Sequence, residues 1–318
     1  MVSEFQFIEN LRSKYSLDKI GDDCAVLPKD QKTDLLLTAD LLIEDIDFRL
    51  EWTIPEFLGH KALAVSLSDI AAMGGKPTWA MLSLGVPKNL WKTDFIDRFY
   101  VGWFDLANEF GVELVGGDIS RSPDKLFIDS IVGGEVAKGK AIRRSGAKPG
   151  DKIYATGALG GAAGGLKLLE GGFEYIDLGG SPTEDAILGQ LYPSPQLEIA
   201  NLLLNLNLAT AMIDISDGLS SDLEHICRAS SVGAKINASK VPVDECLLHF
   251  FPPEVCLEMA LNGGEDFELL FTVDQNNISS LKSIDAVCIG EVTEKTGVME
   301  LISDGKSRKL LPKGYRHF

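Results

Sequence analysis

This sequence predicts a mixed α/β protein of two domains, and three observations predict it. Its 318 residues exceed what one hydrophobic core usually holds, so two domains of ordinary size are expected. Apolar runs of strand length alternate with helical stretches along the chain, without the strict strand–helix–strand repeat of a doubly wound sheet. A basic stretch over residues 137–151 then interrupts the pattern. It holds Lys138, Lys140, Arg143, Arg144 and Lys148 and closes in the turn Pro149-Gly150-Asp151. The boundary belongs there, giving domains at 1–137 and 138–318.

Taken in order, residues 5–15 predict an amphipathic helix with Phe5, Ile8, Leu11 and Tyr15 on one face. Gly21-Asp22-Asp23 turns into a short apolar strand, and residues 34–40 form a buried-type strand delivering Asp40 at its end. A polar segment with Glu44, Asp45 and Asp47 leads to a helix that starts at Pro55, a favoured first-turn residue. Residues 79–86 are a strand. Residues 94–110 are a helix whose Phe95, Phe99, Trp103, Leu106 and Phe110 recur at helical spacing, a core stripe. A strand over 111–118 closes in a Gly-Gly-Asp turn, and 127–136 is another. Beyond the boundary come a strand at 152–156, a glycine-rich opening of a helix reaching about 170, and a loop-rich stretch over 171–195. A helix at 196–205, a strand at 209–213, a helix at 219–229, a strand at 234–237, a helix around 244–250 and a strand at 286–292 complete the reading.

Composition limits the function. Hydrophobic residues make up 45% and charged residues 24%, as in soluble globular proteins. The net charge of −17 argues against a nucleic acid or an anionic membrane as partner. Five cysteines, at 24, 227, 246, 256 and 288, form no C-x-x-C pair and suit reduced thiols. With no secretory leader pattern and no apolar run of membrane-spanning length, a cytoplasmic protein is expected.

The chemistry centres on Ala62-Leu-Ala-Val-Ser-Leu-Ser-Asp69-Ile-Ala-Ala-Met73, an apolar helix with one carboxylate near its C-terminal end. Such a carboxylate needs a positive partner, because burial and the helix dipole both oppose its charge. A buried Lys or Arg satisfies that need, and so does a divalent metal. There is no P-loop, no kinase glycine loop, no dinucleotide fingerprint and no H-E-x-x-H, and only four His are present. Acids recur instead at strand ends and glycine turns: Asp22, Asp23, Asp40, Asp118, Asp214, Asp217, Glu265 and Asp266. Each alone is ordinary turn chemistry, and Asp217 is placed to cap the helix that follows it. Together they point toward a common edge, where acids without matching Lys or Arg must share cations, and hard oxygen ligands select Mg²⁺ or Mn²⁺. Many such ligands with almost no His suggest phosphoryl transfer to an acceptor that needs no general base. A phosphate fits, its second pKa of about 6 leaving it a dianion at neutral pH. Arg121, Arg143 and Arg144 are candidates to relieve the repulsion between the two polyanions.

Several segments, in this order, resemble the thiamine-monophosphate kinase family: Gly21-Asp-Asp-Cys-Ala, Thr38-Ala-Asp40, Lys61 through Gly74, Gly116-Gly-Asp118, Arg144-Ser-Gly-Ala-Lys-Pro-Gly-Asp, Ile213-Asp-Ile-Ser-Asp-Gly-Leu, Gly263-Gly-Glu-Asp-Phe-Glu-Leu and the terminal Gly-Tyr-x-His-Phe. The family sits in an ATP-binding superfamily with aminoimidazole-ribonucleotide synthetase, selenophosphate synthetase and a hydrogenase-maturation protein. The resemblance implies a homodimer formed by the N-terminal domain, with ATP near the interface and the C-terminal domain closing over thiamine monophosphate. It implies several Mg²⁺ ions on Asp23, Asp40, Asp69, Asp118, Asp214 and Asp217, with Thr38 contributing. Of these, Asp69, Asp118 and Asp217 form the implied catalytic set. Gly117, Asp118, Arg144 and Ser216 are the implied ATP contacts, and Glu265 and Tyr315 the implied acceptor contacts, Tyr315 as an aromatic platform.

Two positions depart from the family pattern. Ala39 stands where a hydroxyl is usual, and Asp47 where the family usually carries a substrate-contacting His. An Asp at 47 either pairs with the cationic thiazolium or is a solvated loop acid. Another ATP-using member of the superfamily and a non-catalytic Mg-nucleotide-binding protein are the competing readings.

Overall fold

The computed structural model describes residues 4–176 and 180–317. The side chain of Phe5 and residue Phe318, both singled out above, lie outside the described set. Helix α1 (Glu4–Tyr15) precedes β1 (Ala25–Pro28), β2 (Thr33–Ile43), α2 (Pro55–Ala72), β3 (Lys76–Pro87), α3 (Phe95–Phe110), β4 (Glu113–Ser122) and β5 (Phe127–Ala137). After the basic stretch come β6 (Lys152–Thr156), α4 (Gly161–Glu170), α5 (Pro182–Leu191), α6 (Leu197–Asn205), β7 (Ala209–Asp214), α7 (Leu219–Ser230), β8 (Gly233–Asn237), α8 (Pro253–Asn262), β9 (Leu269–Val273), β10 (Ala286–Thr293), β11 (Met299–Ser303) and β12 (Lys306–Lys309).

Two sheets result. The first has the order β1-β2-β5-β3-β4, antiparallel except where β3 meets β4. The second has the order β12-β11-β8-β10-β6-β9-β7, antiparallel except between β8 and β11. Mixed pairing on this scale matches the expected α/β class.

Helix α2 lies between the sheets. It packs on β2, β3 and β5 on one side and on α6 and β7 on the other, so a helix apolar almost all round is buried almost all round. One hydrophobic core therefore runs from the first sheet through α2 to one face of the second, where Met212 and Phe271 join it. A second core, with Leu223 and Ile226 of α7, fills the other face. Helices α2 and α3 cross at Gly59 and Gly102: a Cβ on Gly59 would strike the Phe99 carbonyl, and one on Gly102 the Glu56 carbonyl. Only glycine lets the two backbones approach that closely.

Several expectations need correction. Residues 171–195 contain α5, whose Ser181 accepts a hydrogen bond from the Glu184 N–H and whose first residue is Pro182. The helix expected around 244–250 is a short 3₁₀ turn, Glu245–His249. Helix α8 and the β11–β12 hairpin had no counterpart in the sequence reading. Tyr15, placed on the apolar face of the first helix, is 58% exposed. Asp40 does not end its strand, because β2 continues to Ile43 against β5. Likewise Gly116-Gly117-Asp118 is no turn: β4 runs through it, with Gly117 opposite Leu82 and Asp118 opposite Ser83. Asp217 does not cap α7. Gly218 is the residue there, and its N–H donates back to Asp222.

Candidate functional site

Three carboxylates that are 191 positions apart at the extremes of the chain meet at the seam of the two sheets. Asp23 comes from the turn before β1, Asp69 from the last turn of α2, and Asp214 from the end of β7. Each offers an oxygen within 4.8 Å of the others. Asp69 accepts a hydrogen bond from the Thr38 hydroxyl on β2, and Asp214 one from Ser68 at 2.7 Å. One turn back along α2, Ser66 donates to Asp40 at 2.6 Å. Among the described residues the guanidinium at the cluster is that of Arg144, whose Nη2 lies 2.6 Å from Asp23 Oδ1. Asp23 Oδ2 is buried with no hydrogen-bond partner among the described residues.

This arrangement is electrostatically unbalanced. Burial pushes the Asp69 carboxyl well above the usual range, and the charges of Asp40, Asp214 and Asp23 push it further. Burial likewise lifts Asp40 to about 6 and Asp214 to about 7. At Asp23 burial outweighs even Arg144, and its carboxyl is also raised. An orphaned buried oxygen, a set of all-oxygen donors and too few cations fit a hard divalent metal ion.

A second group adjoins the first through Arg144. Asp217, Asp222 and His225 offer atoms within 4.8 Å of one another. Burial and then Glu4 raise Asp217 to about 6, against Arg144, His317 and Arg316. Burial, Arg144 and Arg228 lower His225 to about 3, so its neutral ring accepts from Arg228 at 2.9 Å. A cavity of about 390 Å³ opens here, lined by Asp217, Ser221, His225, Tyr315, Arg316 and, from α1, Glu4.

The segment between α8 and β9 brings a further acid to this region. Glu265 and Phe267 have φ of +69° and +51°, unusual for side-chain-bearing residues. The segment is held on both sides. The Glu265 N–H donates to the Ser216 carbonyl, the Phe267 N–H to Ile215, and Asp266 accepts from the Gly160 and Ala162 N–H groups at the start of α4. The Glu265 carboxylate faces Lys61 of α2, with Nζ 3.0 Å from Oε1, and accepts from the Gln190 amide on Oε2. Asp47 accepts from the Ile43 N–H at 2.8 Å. Its carboxyl is raised by burial and by Glu265, and pulled down by that hydrogen bond, His317 and Lys61. Tyr315 donates its N–H to the Asp217 carbonyl, and Asp47 and Glu265 raise its hydroxyl further once burial has done so. Asp47, Glu265 and Tyr315 thus share one neighbourhood.

Asp118 and Gly117 do not join it within one chain. Asp118 sits in the cross-strand row Leu41–Asp129–Ser83–Asp118, on the face of the first sheet away from α2. Its strand β4 is three strand spacings from β2, about 14 Å. Ala39 projects on that same outer face, in the row with Ile131 and Met81. Of the three arginines, Arg143 pairs with Asp22 at 2.6 Å and Arg121 lies on β4, leaving Arg144 at the acid cluster.

Comparison with known proteins follows the same lines. Residues 21–143 match the N-terminal domain of AIR synthase related proteins, and residues 148–301 match the C-terminal domain. The thiamine-monophosphate kinase of Escherichia coli strain K12 is 40% identical over 307 residues, covering 94% of this chain and 91% of its own. The chain belongs to the thiamine-monophosphate kinase family. The Bacillus subtilis strain 168 enzyme is 38% identical over 308 residues, covering 94% and 93%. The solved complex of AaThiL with AMPPCP and TMP superposes with a TM-score of 0.88 at 34% identity, covering 100% of this chain and 97% of that one.

Lys61, Ser66, Ser68, Gln190, Asp222 and His225 are among the site residues that escaped the sequence reading. Ser66 and Ser68 did carry a signal, being hydroxyls just before Asp69 in an otherwise apolar helix. Asp222 carried one too, as a charge beside Leu219, Leu223 and Ile226 on the buried side of α7.

Proposed function

We propose that this protein transfers the γ-phosphoryl group of ATP to the phosphate of thiamine monophosphate, giving ADP and thiamine diphosphate, the last step in making that diphosphate. The observation that carries the reading is the full-length likeness to AaThiL, a protein solved with AMPPCP and TMP bound. The bond from the γ-phosphorus to its bridging oxygen breaks as an oxygen of the acceptor phosphate bonds to that phosphorus. The acceptor is already a dianion, with a second pKa of about 6, so no residue has to remove a proton. Charge repulsion is the barrier that remains.

Asp23, Asp40, Asp69, Asp214 and Asp217, with Thr38, would hold Mg²⁺ ions, which would supply charge neutralisation. Arg144, oriented by Asp23, adds a fixed positive charge for the ATP phosphates, and Ser216 is a further ATP contact. Glu265 and Tyr315 hold the acceptor, and Asp47 opposes the positive thiazolium. Under this reading residues 1–137 form the nucleotide and dimerisation domain and 138–318 the domain closing over the acceptor.

A homodimer is part of the same reading. Leu41, Met81 and Phe127 stand exposed on the outer face of the first sheet, and Val115 and Ile119 on its uncovered edge strand. That surface takes in Gly117 and Asp118, the two expected ATP contacts lying apart from the acid cluster. Light scattering at twice the chain mass checks it. Five free cysteines suit a cytoplasmic location, and no described helix is long and apolar enough to cross a membrane.

The deciding experiment incubates purified protein with ATP, Mg²⁺ and thiamine monophosphate beside an Asp69→Asn variant. Thiamine diphosphate from the parent and none from the variant is expected. A folded parent that binds Mg-ATP and yields no product overturns the kinase reading.

A further inference from the structure

We propose that Lys61 is a positioning residue for the acceptor substrate, holding the Glu265 carboxylate in the orientation that receives it. The inference rests on the kinase reading above and deepens it.

Lys61 is 3% exposed, a lysine on a helix whose buried side chains are mostly apolar. A buried ammonium persists only when it is paired and hydrogen-bonded. Both needs are met from outside the first sheet: Nζ lies 3.0 Å from Glu265 Oε1 and 3.0 Å from the Gln190 carbonyl oxygen. Gln190 then closes the ring, its amide donating to the other Glu265 oxygen. Glu265 is therefore held at both oxygens, while its side chain stays 32% exposed and its charge reaches both Asp47 and Tyr315.

The neighbouring residue repeats the attachment. His60 lies with Nε2 2.8 Å from the Pro193 carbonyl and stacks on Tyr192, with ring centroids 3.5 Å apart. Two consecutive residues of α2 thus anchor the 190–193 segment that carries the Gln190 contact.

The backbone explains why a second hold is needed. Glu265 sits at φ +69°, a conformation that side-chain-bearing residues leave readily unless their surroundings fix it. Main-chain hydrogen bonds fix the segment, and among the described residues Lys61 and Gln190 fix the carboxylate itself. The same helix carries Asp69 eight residues further on, about 12 Å along the axis. Lys61 thereby references the acceptor-binding acid to the helix that carries the acid cluster.

The test measures steady-state kinetics of the full-length protein and its Lys61→Met, Lys61→Arg and Gln190→Ala variants, with thiamine monophosphate and ATP varied separately. Lys61→Met is expected to raise KM for thiamine monophosphate about tenfold or more, with KM for ATP and kcat changed by less than about threefold. Lys61→Arg, which keeps the charge, should recover most of that loss, and Gln190→Ala should raise the same KM by about threefold. An unchanged KM for thiamine monophosphate in Lys61→Met, or equal changes for both substrates, overturns the assignment. Should Lys61→Met fail to fold, Gln190→Ala decides: an unaltered KM for thiamine monophosphate refutes the held-carboxylate geometry. A parent enzyme without turnover overturns the kinase reading itself, and this inference falls with it.

Discussion

Asp266 and Asp69 are both carboxylates withdrawn from water, and the fold treats them in opposite ways. Asp266 lies against the start of α4, where it accepts the Gly160 N–H at 2.7 Å and the Ala162 N–H at 3.2 Å. Helix N-terminal N–H groups need acceptors and favour negative charge, so each side answers the other without any cation. Asp69 lies at the opposite kind of helix end. It has the Thr38 hydroxyl and otherwise faces Asp23, Asp40 and Asp214, which add to the strain of its burial. An acid satisfied by backbone donors is part of the scaffold, whereas an acid grouped with acids has the chemistry of a cation ligand.

The sharpest way to break this comparison is to neutralise each acid in turn. Asp69→Asn should lower turnover by about a thousandfold or more and abolish the rise in melting temperature that Mg²⁺ gives the parent. The same substitution should stabilise the metal-free protein by about 1–3 kcal/mol, because it removes an uncompensated charge. A metal-free Asp69→Asn protein that melts lower than the parent would contradict the contrast. Asp266→Ala should do the reverse, costing about 1–3 kcal/mol by leaving two helix N–H groups without acceptors. It should leave the Mg²⁺-dependent rise in melting temperature in place, as chemical denaturation with and without the ion will show.

The effect of pH is smaller and common to both groups. Asp214, Asp266 and Glu268 are each lifted to about 7 in the fold, chiefly by burial. Because the folded values lie above the unfolded ones, the stabilisation is complete below about pH 4 and is lost as pH rises through about 7. Protein stripped of metal should therefore be more resistant to denaturant at pH 5.5 than at pH 8.5. Saturating Mg²⁺ should flatten the Asp214 part of that slope and leave the Asp266 and Glu268 part.

Much of this was legible in the sequence, for identifiable reasons. Asp69 stood out as the one carboxylate of an apolar helix, whereas Asp23 and Asp214, each ordinary turn chemistry alone, stood out because acids recurred at strand ends without matching lysines or arginines. The α/β class followed from alternating patterns that survive averaging over neighbours. What stayed hidden depends on distance along the chain. The Ser68–Asp214 hydrogen bond joins residues 146 positions apart, and the Lys61–Glu265 pair more than two hundred. Helix α5 was concealed by flanking glycines and prolines, although Ser181-Pro182-Thr183-Glu184 carries a helix-start signature. Strand β4 was cut short because Gly116-Gly117 reads as a turn, while its parallel partner β3 holds it extended.

The crossing of α2 and α3 at Gly59 and Gly102 has a consequence for how this protein tolerates change. Any side chain at either glycine would wedge the two helices apart. The displacement would move Lys61 and Asp69 together, since both ride on one rigid rod. Under the proposed function, a single methyl group at this helix crossing would then blunt acceptor binding and metal binding in the same stroke. Robustness in this chain is distributed unevenly, and the two glycines at this crossing are among the positions least free to change.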